Sequence, residues 1–326
     1  MNDLVLEFPA QVMEAMTIAS GFEGKLPRDF DNVLICGLGG SGIGGTILSQ
    51  LIDDGSPKPI LSSKDYTIPG FVGPKSLVII CSYSGNTEET LEALDSAIEA
   101  KAQIACITSG GKLLKMAKMN NWPVIQIPSG YPPRSAFGFS LVQLFKFASS
   151  FGLTTIDWQV EVNSAIERLE TELNEIQTRA KSLAAALVGK TPIIYSSNWL
   201  EGVGTRWRQQ INENAKMLCW HHYYPEMNHN ELVGWRTKDE SRAVVMLKSN
   251  LNHKRVAKRM ELSEKVYSEY TPNVHTIIAK GATKIEQALY LIHLGDWTSV
   301  YMADLIEMDS TEVKVIDWLK DELSKF

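Results

Sequence analysis

The stretch from Cys81 to Leu91 reads Cys-Ser-Tyr-Ser-Gly-Asn-Thr-Glu-Glu-Thr-Leu, follows the apolar run Leu77 to Ile80, and leads into a helical pattern. A strand that ends in a hydroxyl-rich turn and opens a helix offers free backbone N–H groups and the positive end of the helix dipole. Ser82, Ser84 and Thr87 add neutral donors, and the whole is a seat for a phosphate. A lone turn of this kind is also what a plain helix cap looks like, with Thr87 at the N-cap and Glu88 and Glu89 in the first turn. A second loop tips the balance. Residues 37–45, Gly-Leu-Gly-Gly-Ser-Gly-Ile-Gly-Gly, follow the strand-like run Val33 to Cys36 and precede another helix, so two polar loops fall at one edge of one sheet. Small residues such as Gly40, with Ser41 beside it, let a sugar phosphate come close to the backbone.

The alternation around these loops sets the fold class. A helix over residues 5–24, with Phe8, Val12, Met16 and Ala19 in its apolar set, precedes five strand-like runs that start near Val33, Pro59, Leu77, Ile104 and Val124. Helical patterns separate them, which predicts an α/β chain whose parallel sheet carries helices on both faces, flavodoxin-like. Beyond Phe151 the pattern changes. Val162, Ile166, Leu169, Leu173, Ile176, Ala180 and Leu183 alternate four and three apart, the seam of one long helix over 160–187, packed on its own domain or across a subunit boundary. The first half then recurs: strands at Pro192, Ala243 and Val274 match those at Val33, Leu77 and Val124. We expect two αβα domains, residues 1–153 with the phosphate loops and 154–326 beginning with the long helix, with function between them.

Composition narrows the partners. Of 326 residues, 44% are hydrophobic, enough for two cores, and the net charge of −6 argues against nucleic acid or an anionic membrane surface. No apolar window is long enough to span a bilayer and no leader pattern opens the chain, so a cytoplasmic protein is expected. Cys36, Cys81, Cys106 and Cys219 show no Cys-x-x-Cys spacing, and no disulfide is expected.

Two rival motifs compete with the phosphate seat. Gly37, Gly39 and Gly42 satisfy the dinucleotide fingerprint, but only Asp65 stands loosely where a ribose-binding acid belongs, and the hydroxyl turn has no place in that scheme. His222, Glu226 and His229, spaced four and three apart, would share a helical face that suits zinc, yet Pro225 argues against a helix. We expect no metal and no cofactor.

Gly-Gly-Ser-Gly at 39–42, Ser-Tyr-Ser-Gly-Asn-Thr at 82–87, Pro-Pro-Arg at 132–134, Asn-Glu-Asn-Ala-Lys at 212–216 and Asn-His-Asn-Glu at 228–231 together resemble the bifunctional phosphoglucose/phosphomannose isomerases, of the sugar isomerase (SIS) domain class. His293-Leu-Gly-Asp296 resembles that family too. The resemblance implies two SIS domains, a homodimer whose active site draws on both subunits, and interconversion of glucose 6-phosphate, and of mannose 6-phosphate, with fructose 6-phosphate.

That chemistry moves a proton between C2 and C1 through an enediolate, and it needs a carboxylate, a cation and an imidazole. Glu213, Arg134 and His229 suit these roles, and the resemblance assigns them the same way. On the residues alone Glu213 also reads as an ion-paired helix residue and His229 as a surface histidine, whereas Arg134, after the stiff Tyr131-Pro132-Pro133 turn, points to function. The resemblance further places Lys320 near the sugar, on a C-terminal helix starting at Ser310-Thr311-Glu312, with Thr311 a candidate for epimer choice. Lys320 reads equally as one more solvated charge. His221-His222-Tyr223-Tyr224 departs from the family pattern and suggests a subunit contact or pocket rim. A non-catalytic SIS sensor is the alternative, although nothing in the sequence reads as a helix-turn-helix with a basic face.

Overall fold

The computed structural model describes residues 1–24, 27 and 29–325. The first half runs α1 (Asn2–Leu6), α2 (Phe8–Ser20), β1 (Asn32–Cys36), α3 (Gly39–Ile52), β2 (Ile60–Ser63), β3 (Ser76–Cys81), α4 (Glu88–Glu99), β4 (Gln103–Thr108), α5 (Gly111–Met119), β5 (Val124–Gln126) and α6 (Phe137–Ser150). The second half runs α7 (Trp158–Thr171), α8 (Leu173–Leu187), β6 (Thr191–Ser197), α9 (Glu201–Ala215), β7 (Trp220–Tyr224), β8 (Arg242–Lys248), α10 (Lys254–Tyr270), β9 (Val274–Ile278), α11 (Lys284–Leu305) and α12 (Lys314–Leu323).

Every strand pairing is parallel, in two sheets of order β2-β1-β3-β4-β5 and β7-β6-β8-β9. The first is the flavodoxin-type order, whose switch point lies between β1 and β3, where chain direction diverges and a crevice opens at the carboxyl ends. Those two strands end in the glycine loop and the hydroxyl turn. Strand β3 is buried along its whole length, which is why its sequence is an unbroken apolar run.

Helix α11 joins the halves. Ile285 through Val300 are buried on every side of it, as expected of a helix wrapped by neighbours rather than floated on a surface: it packs against α7, α8 and α9 of its own half and, across to the first half, against α1, with His293 stacked on Phe8 of α2. One continuous apolar core therefore includes Phe137 and Phe145 of the first half with Ile194 and Trp207 of the second.

Some elements differ from the expectations above, and others are given their place. The N-terminal helix is two, parted at Glu7. The helix expected over 160–187 is also two, parted at Glu172, whose carboxylate is held by Arg168 and Lys280. The seam is buried within the chain all the same, with α7 and α8 both lying against α11. Strand β9 pairs with β8 as β4 pairs with β3, so it matches β4 and not the Val124 strand, and the second sheet has no fifth strand among the described residues. His221-His222-Tyr223-Tyr224 is edge strand β7, whose inward Tyr224 stacks its ring edge on Tyr195. The C-terminal helix begins at Lys314, and Ser310 to Val313 form an irregular strap before it. Cys36, Cys81, Cys106 and Cys219 are buried and free.

Candidate active site

The site is built around the carboxyl edge of the first sheet. Ser82 Oγ and Thr87 Oγ1 lie 2.9 Å apart, and Thr87, although it occupies the N-cap of α4, gives that helix no side-chain cap. Its hydroxyl pairs with Ser82 across the turn instead of capping the helix. Gly85 has φ +66°, and a Cβ there would lie 1.9 Å from the Gly110 carbonyl, so the turn closes only with glycine. Ser84 is exposed, and its Oγ accepts the Asn86 N–H at 3.2 Å.

The glycine loop is tied to this turn. Ser41 Oγ, in the first turn of α3, accepts the Tyr83 N–H at 3.1 Å, and the Tyr83 hydroxyl accepts the Tyr131 N–H at 2.9 Å. A Cβ on Gly40 would stand 2.9 Å from the Pro133 carbonyl, so the loop rests directly on the Pro-Pro-Arg turn. Gly40, Ser41, Ser82, Ser84, Thr87 and Arg134 thus share one edge.

Arg134 crosses from that edge to the second half. It is 4% exposed, its Nε donates to Asn214 Oδ1 at 2.8 Å, and Nη1 lies 3.4 Å from Glu213 Oε2. Its Nη2 donates to the carbonyls of Ser310 and Thr311 at 2.5 and 3.1 Å. Burial pulls the guanidinium below its usual range while the Glu213 carboxylate works against that, and it stays the cation of the pair. Its own carbonyl accepts from Arg206, which pairs with buried Asp296 at 2.6 Å.

Glu213 reaches this place because α9 starts at the carboxyl end of β6 and runs back for 15 residues, about 22 Å. It therefore emerges at the amino edge of the second sheet, where that edge meets the carboxyl edge of the first. A cavity of about 510 Å³ opens there, lined by Glu213, Lys216, Met217, Leu218, Glu312 and Ile316. Lys216, left-handed at φ 55°, caps the end of α9 by donating to the Glu213 carbonyl at 2.6 Å and to the Glu312 carbonyl at 2.8 Å. Two cations thus hold the strap over Glu213. The sequence shows Lys216 only as part of a motif, since nothing in local pattern announces that a strap some 96 positions later lies beneath it.

His229 and Lys320 are not brought to this centre within the chain. His229 follows β7, at the carboxyl edge of the second sheet and so at the other end from Glu213, and it is exposed. Lys320 lies on α12, none of whose residues is buried. Among the described residues neither side chain has a hydrogen-bond partner. His222 lies in β7 and Glu226 in the following 3-10 turn, where its carboxylate takes the Asn230 amide. Among the described residues no three His, Cys, Asp or Glu side chains are grouped as a metal ion requires.

Two flavodoxin-like parallel sheets, packed into one core and meeting where Arg134 of the first half reaches Glu213 and Asn214 of the second, define a two-domain sugar isomerase (SIS) fold. Residues 176–323 match the family described as the bacterial phospho-glucose isomerase C-terminal SIS domain. A bifunctional phosphoglucose/phosphomannose isomerase of Caldicellulosiruptor bescii is 38% identical over all of this chain and 99% of its own length. One of Aquifex aeolicus is 35% identical over 91% of each chain. The crystal structure of a hypothetical protein from Thermus thermophilus superposes with a TM-score of 0.79 at 14% identity, over 98% of this chain and 89% of that one. The chain belongs to the bifunctional phosphoglucose/phosphomannose isomerase family.

Proposed function

We propose that this protein is an aldose–ketose isomerase that interconverts glucose 6-phosphate, and mannose 6-phosphate, with fructose 6-phosphate. The observation that carries the reading is the meeting of Arg134 from the first half with Glu213 from the second, 3.4 Å apart, beside the hydroxyl turn. Ser82, Ser84 and Thr87 hold the phosphate, and Gly40 and Ser41 let the sugar lie close to the backbone. Glu213 carries the proton between C2 and C1, and the Arg134 guanidinium steadies the charge that grows on the enediolate oxygen. Nothing in this sequence of steps calls for a metal or a cofactor.

The imidazole that opens the ring is His229 of a second copy. Its distance from Glu213 within one chain, set by the two ends of α9 and β7, supports a homodimer whose sites are shared. In such a dimer Lys320 on exposed α12 reaches the sugar, and β7 lies near the subunit boundary. We divide the chain after residue 153, with the seat in the first domain and the base in the second, and we place the enzyme in the cytoplasm.

A coupled assay of the purified protein with each 6-phosphate, run with and without chelator, tests this. Turnover of both epimers is expected, unchanged by chelator. Mannose 6-phosphate turnover below ~10⁻³ of the glucose rate, a discrimination of about 4 kcal/mol, would remove the second activity. No turnover of either would leave a phosphosugar sensor.

A further inference from the structure

We propose that Asn214 is a positioning residue that aims the Arg134 guanidinium at the reacting carbons, an inference that rests on the isomerase reading above. Asn214 is fully buried and both ends of its amide are used: Oδ1 accepts from Arg134 Nε at 2.8 Å and Nδ2 donates to Ser299 Oγ at 2.9 Å. The Ser299 hydroxyl in turn donates to the Asp296 carbonyl at 2.7 Å. With its hydrogen committed there, Ser299 offers only an oxygen to the amide. The nitrogen end of Asn214 must face Ser299, and the oxygen end must face Arg134.

The guanidinium has five N–H donors in one plane. The Nε–H goes to Asn214 and the two on Nη2 go to the strap carbonyls of Ser310 and Thr311, which leaves Nη1 for Glu213 and for a substrate oxygen. The strap carbonyls belong to a segment outside any helix, whereas Asn214 is fully buried in α9 and tied to Ser299 of α11. Asn214 is therefore the end of the clamp that is anchored in the core. It directly follows Glu213 in α9, so one helix turn carries the base outward to the pocket and the residue that aims the cation inward, about 100° away.

The test compares Asn214→Ala with the parent protein. The kcat should fall about 10–100-fold, as small misplacements of a charged group do, while KM changes less than about 3-fold because the phosphate seat is untouched. In an Arg134→Lys background, where no Nε–H exists, the same substitution should cost less than about 3-fold. Equal losses in both backgrounds, tracking a lowered urea midpoint, would mean a purely structural residue and overturn the proposal. Ser299→Ala, a smaller change, should show part of the same kcat-only loss, and its failure to do so also counts against the proposal. If the parent turns over no sugar phosphate, the isomerase reading fails but this one is still read by calorimetry. A five-carbon sugar-acid phosphate, which mimics the enediolate anion, should bind about 10-fold more weakly to Asn214→Ala while inorganic phosphate binds unchanged. Equal weakening of both ligands, or of neither, overturns it.

Discussion

Arg134 Nη1 and Glu213 Oε2 lie 3.4 Å apart although the residues are separated by 79 positions, with the arginine side chain 5% and the glutamate 29% exposed. In the proposed reaction the asymmetry matters: a glutamate open on one side can leave the cation for a substrate carbon, which a pair buried on both sides could not. Glu213→Gln keeps the shape and removes the base, so kcat should fall by ~10²–10⁴ with KM and the circular dichroism spectrum nearly unchanged. Retention of more than a tenth of the parent kcat would sink the assignment of Glu213.

The hydroxyl turn makes a different prediction. Ser82 and Thr87 orient each other at 2.9 Å, and neither is spent on capping α4. Thr87→Val removes one donor to a dianion, a loss of ~1.5–3 kcal/mol. That is about 10–100-fold in KM for each sugar phosphate, at a nearly constant thermal midpoint. A valine variant with the parent KM would show that the phosphate sits elsewhere.

The two sheets were readable because each central strand is buried on both faces and leaves an unbroken apolar run, as at Leu77 to Ile80. The loops were readable as strand-to-helix turns because glycines and hydroxyl residues interrupt the apolar runs there, and it was the pair of them at one sheet edge, not either alone, that set them apart from plain helix caps. What pattern could not supply was breaks and partners. Glu172 parts α7 from α8 through ion pairs with Arg168 and Lys280, and Lys280 lies 108 positions away. The hold of Asn214 on Arg134 and of Lys216 on the strap are likewise tertiary bonds between segments whose local sequences look like ordinary helix ends. Edge strand β7, with exposed Trp220 and half-buried histidines, lacks the apolar run that marks its neighbours.

Two histidines make stability depend on pH. His293 is fully buried, stacked on Phe8, with Nε2 accepting the Trp297 indole N–H, and burial pulls its pKa to about 3. His221 is drawn to about 4 by burial and then by Arg208. Both titrate near ~6.5 in an unfolded chain, so below that pH the unfolded state binds the extra protons. Stability is complete above ~7 and falls as pH drops toward 3, by up to ~1.4 kcal/mol per pH unit for His293. Urea midpoints at pH 7.5 and 5.5 should differ more for the parent than for His293→Gln, which keeps an acceptor for Trp297 but does not titrate. Identical pH slopes for the two proteins would show that His293 does not carry this dependence.

The last prediction follows from where α9 and β7 leave their side chains. Glu213 stands at the amino edge of the second sheet and His229 beyond its carboxyl edge, so one chain cannot bring both to one sugar without refolding that domain. In a two-fold dimer with shared sites, Glu213→Gln and His229→Ala proteins are each inactive because every site has one lesion. After subunit exchange at equal concentrations about half the dimers are mixed, and each mixed dimer gathers both lesions into one site and leaves the other intact. Activity should therefore recover to about a quarter of the parent value, on the timescale at which differently tagged chains exchange. Exchange that is complete by tag but leaves the mixture as inactive as its components would put Glu213 and His229 in the same chain's site, and the shared dimer site would have to be abandoned.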